Sequence, residues 1–160
     1  SGPGPAAGFS WELAEAANAL AARGDRDLPA LRRIAAGSLV RLRKFKPKEL
    51  SLLARSFAKL EARDPELFRA IGAEAVRRKD ELSLTCWRYL AWSFAKLGVR
   101  HARTLRALEE SVLAKLEAAQ PEDLATLAWA FAKLGVRDAG VLQGIVEAVG
   151  PRLPAFKPQE

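Results

Sequence analysis

The tetrapeptide Phe-Ala-Lys-Leu occurs three times, beginning at Phe57, Phe94 and Phe131, a constant spacing of 37 residues. A fixed period of this size points to stacked supersecondary units, each too small to bury its apolar face alone. The register extends well past four letters. Leu50, Trp87 and Leu124 align at the same step, as do Leu53, Leu90 and Leu127. Ala54, Ala91 and Ala128 form a third column, and Ala58, Ala95 and Ala132 a fourth. One step back lie Leu13, Ala16, Ala17, Leu20 and Ala21, an alanine-rich copy that reads as a thinner, cap-like end. Downstream, Leu31, Phe68, Leu105 and Leu142 align, followed by Ile34, Ile71, Leu108 and Ile145. An arginine stands at the same place in all four copies, as Arg26, Arg63, Arg100 and Arg137. Phe45-Lys46-Pro47 returns three periods later as Phe156-Lys157-Pro158.

Within a unit the apolar spacing is helical twice over. Leu124, Leu127, Ala128, Phe131 and Ala132 fall at i, i+3, i+4, i+7 and i+8, one stripe of a helix, and Leu142, Ile145, Val146 and Val149 mark a second. Gly24, Gly98 and Gly135 stand just past the first helix, where a left-handed cap favours glycine. Asp27, Asp64 and Asp138 follow as N-caps of the second, with Pro65 suited to its first turn. Glu61 replaces the glycine in the second unit and His101 the aspartate in the third, so those two loops are expected to close less cleanly. Pro47, Pro121 and Pro158 mark the turn before a first helix. No segment alternates as a strand would. The expected fold is all-α, a right-handed-type α-solenoid of four antiparallel helical-hairpin repeats, 9–45, 46–82, 83–119 and 120–156, with 157–160 opening an incomplete fifth. Residues 1–8, rich in Gly, Pro and Ala, read as a flexible lead-in.

The totals bound the function. Of 160 residues, 28% are charged and 49% apolar, a globular balance, and no apolar run approaches the roughly 20 residues that span a bilayer. The formal net charge of +7 favours a polyanionic partner, although it also serves solubility. Methionine is absent even at position 1, which a cleaved organellar presequence would explain, as would a cloning boundary. Cys86 is the sole cysteine and His101 the sole histidine, so neither a disulfide framework, a metal site nor a Cys-His nucleophile is expected. His101 is assigned to an exposed loop and Cys86 to a small helix position beside Trp87. No Gly-rich phosphate loop occurs, no cofactor is expected, and an enzyme is disfavoured.

With the core stripe assigned, the opposite face of each first helix carries Lys48, Ser51, Arg55 and Lys59, then Thr85, Arg88, Trp92 and Lys96, then Glu122, Ala125, Trp129 and Lys133. Stacking would tile these into one surface. The column Lys59, Lys96 and Lys133 suits phosphate contact, and equally suits the negative end of a helix dipole. The column Arg41, Arg78, Lys115 and Arg152 carries the same two readings at the ends of the second helices. Arg41, Arg43, Lys44, Lys46 and Lys48 make the densest basic run, at a unit junction, where a solvated charge run is the plainer reading and a phosphate track the sharper one. Trp92 and Trp129, one period apart, either stack on unpaired bases or pack between hairpins.

The segments Leu53 to Leu60, Leu90 to Gly98 and Leu127 to Gly135 resemble the core of octotricopeptide and heptatricopeptide repeats, which are similar to the repeats of FAST-kinase-domain proteins. That resemblance implies a superhelix binding single-stranded RNA in a mitochondrion or a plastid, with some members serving as ribosomal proteins of organelles. It also implies base-reading positions at Lys48, Ser51, Thr85, Arg88, Glu122 and Ala125. The expected function is therefore a non-enzymatic RNA-binding helical repeat, placed in the mitochondrion and in a ribonucleoprotein such as its ribosome. Lysine and arginine columns would hold phosphates while Lys48, Ser51, Arg55, Thr85, Arg88, Trp92, Glu122 and Trp129 meet bases. The alternative is a protein-binding solenoid scaffold in a large organellar complex, without RNA contact.

Overall fold

The computed structural model describes residues 9–150. The lead-in 1–8, Arg152, Phe156 and the fifth-unit start at 157–160 lie outside the described residues. The chain forms α1 (Ser10–Arg23), α2 (Leu28–Arg41), α3 (Pro47–Lys59), α4 (Pro65–Arg77), α5 (Leu84–Leu97), α6 (Ala102–Lys115), α7 (Pro121–Leu134) and α8 (Ala139–Val149). No strand occurs among the described residues. The odd-numbered helices start 37 residues apart, and so do the even-numbered ones. Short 3-10 turns, Leu42–Lys44, Lys79–Glu81 and Leu116–Ala118, follow α2, α4 and α6.

Packing follows chain order in two layers. α1 lies on α3, α3 on α5 and α5 on α7, while α2, α4, α6 and α8 pack in the same succession behind them. The apolar columns supply this core. Leu50, Trp87 and Leu124 are fully buried, as are Phe57, Phe94 and Phe131 to within 1%. Burying a Phe or Trp of this kind is worth about 3–5 kcal/mol against truncation to Ala. The alanine columns give the stacking its direction. Ala54, Ala58, Ala91 and Ala95 are buried, whereas Ala128 and Ala132 at the same positions of α7 are exposed. These alanines thus face the following helix, and α7 has no successor among the described residues. Ser56, Ser93 and Ala130 are wholly buried toward the preceding helix, while Ala19 in the same register is exposed. Both serine hydroxyls donate to the carbonyl one turn back, on Leu52 and Tyr89, so the seam buries no unmet donor there.

The loops repeat as closely as the helices. Gly24, Gly98 and Gly135 sit at φ 64°, 68° and 70°. Their N–H groups donate to Ala21, Ala95 and Ala132, and the next residues donate to Leu20, Phe94 and Phe131. Glu61 makes the same pair of bonds, to Ala58 and, through Ala62, to Phe57, at φ 51°; it is the one non-glycine residue at positive φ among the described residues. Asp27, Asp64 and Asp138 cap the second helices through Ala30, Leu67 and the pair Gly140 and Val141. His101 makes no such cap. It is half-buried rather than exposed, edge-on to Phe94 at 6.0 Å, and burial, followed by the Arg69 charge, lowers its pKa and favours the neutral ring.

The arginine column acquires a role here. Arg26 Nη2 donates to the Glu61 carbonyl at 3.3 Å and Arg63 Nη1 to the Leu97 carbonyl. The Arg100 guanidinium lies 3.6 Å from where a Cβ on Gly135 would stand. Each arginine therefore meets the C-terminal loop of the next first helix, where unpaired carbonyls and the negative end of the dipole attract a cation.

Replacing Glu61 with Gly is expected to stabilise the chain. Relief of the left-handed strain outweighs the added chain entropy and the exposed Lys96 pair, by about 1 kcal/mol. Thermal unfolding should show the melting temperature rising by roughly 2–4 °C. Gly98→Ala should move it the other way.

Candidate nucleic-acid interface

Between α3, α5 and α7 a cavity of about 330 Å³ is lined by Arg55, Lys59, Arg88, Tyr89, Trp92 and Thr126. The helix period builds it. Arg55 and Lys59 stand one turn apart at the end of α3, and Tyr89 and Trp92 likewise on α5. Tyr89 is flanked by two guanidinium groups, Arg55 at 5.1 Å and Arg88 at 5.2 Å from its ring centroid. Arg55 comes from the preceding unit, so the pair spans a seam. Trp92 and Thr126 occupy the same two positions one period on. Cations near an aromatic face gain about 0.5–1 kcal/mol at exposed sites.

Arg88 is held at its base. Its Nε stands 3.0 Å from Asp123 Oδ1, an ion pair without hydrogen-bond geometry, while Asp123 Oδ2 accepts the Gln120 N–H that opens α7. The site therefore combines cations, two aromatic faces and a hydroxyl, the groups that grip a flexible polyanion carrying planar rings. Among the described residues no group of His, Cys, Asp or Glu could hold a metal ion, and no helix is long and apolar enough to cross a membrane.

Four of the expected side chains, Arg55, Lys59, Arg88 and Trp92, meet in this cavity. Tyr89 and Thr126 were not foreseen as site residues. Their register, Glu15, Leu52, Tyr89 and Thr126, keeps no residue type from unit to unit, so the period marked it neither as core nor as surface. Trp92 is half-buried against the core, whereas Trp129 is 43% exposed. Lys59 and Lys133 are exposed in the last turns of α3 and α7. Lys96 Nζ lies 3.5 Å from the exposed Glu61 carboxylate. Lys48, Thr85, Glu122 and Ala125 are exposed near the starts of their helices. Arg43 and Lys44 lie exposed on a 3-10 turn, next to Lys46, whose N–H donates to Glu49 as α3 begins. Arg41 and Lys115 are half-buried at the ends of α2 and α6.

Two of the expected site residues are buried. Ser51 is 1% exposed and donates to the Lys48 carbonyl, because its position faces the next helix. Arg78 is 9% exposed, donates to the Phe45 carbonyl, and lies between Glu74 and Glu81. Its guanidinium thus ties the end of α4 to the Phe45 carbonyl ahead of α3 and is buried away from the surface.

The fold and this seam define the class: an all-helical protein whose helices stack in two layers and present cations with aromatics along one of them. A family model for RNA-editing substrate-binding complex 6 proteins matches residues 17–149, and the chain belongs to that family. No curated protein matches the chain. The chain is all-helical among its described residues and its family is RNA-associated, as the resemblance implied. Octotricopeptide or heptatricopeptide kinship is a narrower statement than this match.

Glu74 provides a pH test of the junction. A hydrogen bond from Arg77 lowers its pKa most, with the Arg77 and Arg78 charges adding to this against the opposing effect of burial. Its contribution is therefore present above its ordinary value near 4.5 and is lost as pH falls through the lower folded value. Urea unfolding at neutral pH should rank Glu74→Gln below the parent chain, and the gap should shrink in acid.

Proposed function

We propose that this chain is a non-catalytic α-solenoid of four 37-residue repeats, of right-handed type, that binds single-stranded RNA along its first-helix layer. The unit boundaries proposed are 9–45, 46–82, 83–119 and 120–156. The observation that carries the reading is the cavity in which Arg55 and Arg88 flank Tyr89 beside Trp92 and Lys59. Membership of a family named for an RNA-editing substrate-binding complex supports it. The RNA is then an editing substrate, the setting is a mitochondrial ribonucleoprotein, and neighbouring proteins of that assembly are the other partners. The family match favours an editing assembly over a ribosome. The repeats' kinship to octotricopeptide and heptatricopeptide proteins belongs to the same proposal.

In this arrangement Tyr89 and Trp92 stack on bases. Arg55, Lys59 and the exposed Lys96 and Lys133 contact phosphates, with Arg43, Lys44, Lys46 and Lys48 extending the cationic surface at the other end of α3. Arg78 and Ser51 serve the fold and take no part in binding.

Fluorescence anisotropy with a short labelled single-stranded RNA tests this. Affinity should fall with salt, and the triple variant Lys59→Ala, Lys96→Ala, Lys133→Ala should flatten the log–log slope by about 2, at ~0.7 per phosphate contact. Tyr89→Ala combined with Trp92→Ala should cost about 1–3 kcal/mol per lost stack, with the slope nearly unchanged. Absence of binding at low salt would overturn the reading and favour a scaffold that holds protein alone.

A further inference from the structure

The layer of second helices holds a groove of its own, where α4 meets α6. Its volume is about 520 Å³. The aliphatic lining is Ala73, Val76 and Ala102, the charged lining is Arg69, Arg77 and Arg103, and no carboxylate lines it among the described residues. Arg69, Ala73, Val76 and Arg77 fall at i, i+4, i+7 and i+8, one stripe of α4. Gly72 lets α6 come close to that stripe, since a Cβ there would stand 2.5 Å from Thr104 Oγ1.

The fold does not call for this charge pattern. One period back, at the α2–α4 junction, the places of Arg69, Ala73, Arg77, His101 and Arg103 are taken by Arg32, Ala36, Val40, Asp64 and Glu66. One period on, at the α6–α8 junction, they are taken by Arg106, Glu110, Ala114, Asp138 and Gly140. Each flanking junction thus sets two carboxylates beside a single arginine, whereas the middle one sets three arginines and no acid. His101 stands where aspartate caps the second helix in the other units, and α6 goes without a side-chain cap. A helix-start rule given up at one site, with no gain to the helix, points to a use outside the fold.

The cations are available. Arg69 and Arg103 are exposed and have no ion-pair partner among the described residues. Arg77 is shared with Glu74 yet stays exposed, and farther along the junction Lys79 and Glu110 pair with each other at 3.2 Å. An aliphatic strip edged by arginines has the make-up of a protein interface, apolar at its centre and polar at its rim. The planar guanidinium matches carboxylates in forked pairs. Phosphate would satisfy the same cations, but the groove offers a base little to stack on, because its one ring, His101, is half-buried against Phe94.

We propose that this groove receives an acidic, amphipathic segment of a partner protein. Apolar side chains of the segment lie against Ala73, Val76 and Ala102, and its carboxylates meet Arg69, Arg77 and Arg103. The groove belongs to the second-helix layer and the Tyr89 cavity to the first, so the chain can hold protein and RNA at once, and neither claim rests on the other.

Selection of random displayed peptides on the whole chain, without RNA, tests this. The recovered sequences should set Asp and Glu beside Leu, Ile or Phe, and synthetic copies should bind more weakly as salt rises. Arg69→Ala with Arg103→Ala should weaken them several-fold. Both residues are exposed, so circular dichroism and the melting temperature should match the parent chain. Ala73→Glu and His101→Asp install what a flanking junction already carries, and each should weaken the peptide, while the second should also restore the helix cap and raise the melting temperature. Recovery of no acidic, apolar sequence would overturn the proposal, as would binding indifferent to these variants. The salt slope of single-stranded RNA binding should be the same in the arginine double variant as in the parent. A slope flattened by about 1, at ~0.7 per phosphate contact, would mark the groove as a phosphate track instead and sink the proposal. If the chain binds no RNA at all, the peptide result decides alone.

Discussion

Burial of one first helix's small-residue stripe against its successor is the constraint on which every other feature leans. A pair of short helices leaves apolar surface on both flanks, and neither helix is long enough to be stable alone in water. Ala54, Ala58, Ala91 and Ala95 let the next helix approach closely, while Phe57 and Phe94 fill the space between the two layers. Stability then accumulates seam by seam, each interface contributing to its immediate neighbours. The guanidinium of Arg26 or Arg63 adds a polar tie at one end of a seam, and Arg78 adds another at the opposite end through the Phe45 carbonyl.

The same seams create the chemistry. Tyr89 has a cation beside it from its own helix and one from the helix before, and Arg88 is anchored by Asp123 from the helix after. Three consecutive units therefore contribute to one cavity, and no single hairpin holds it. A change that loosens the stacking would disperse the site even if every lining residue remained. This is why cations spent on the fold must be separated from those that line the cavity: Arg78 and Arg88 are both arginines near a unit junction, yet only Arg88 lines it.

Basic charge and the family match converge on RNA from independent directions. A net charge of +7 describes an electrostatic preference for polyanions of any sort. The paired aromatics narrow that preference, because a ring stack rewards unpaired bases and offers little to an acidic peptide. Membership of a family of RNA-editing substrate-binding complex 6 proteins adds a biological setting that geometry cannot supply.

Much of the architecture was legible in the chain itself. The period, the helical spacing, the Gly24, Gly98 and Gly135 caps and the Asp27, Asp64 and Asp138 caps are local properties, set by backbone sterics and by hydrogen bonds spanning a few residues. Pattern also separated the core columns from the polar face. What it could not separate was the two flanks of a helix, because Ser51 and Lys48 look alike as polar letters while only one of them faces a neighbour. Nor could it tell Arg78, spent on the Phe45 carbonyl, from cations left on the surface, or find Tyr89 as the centre of a site. Those distinctions depend on which side of each helix the next unit occupies. That side is fixed by long-range packing, and a one-dimensional period carries its spacing but not its direction.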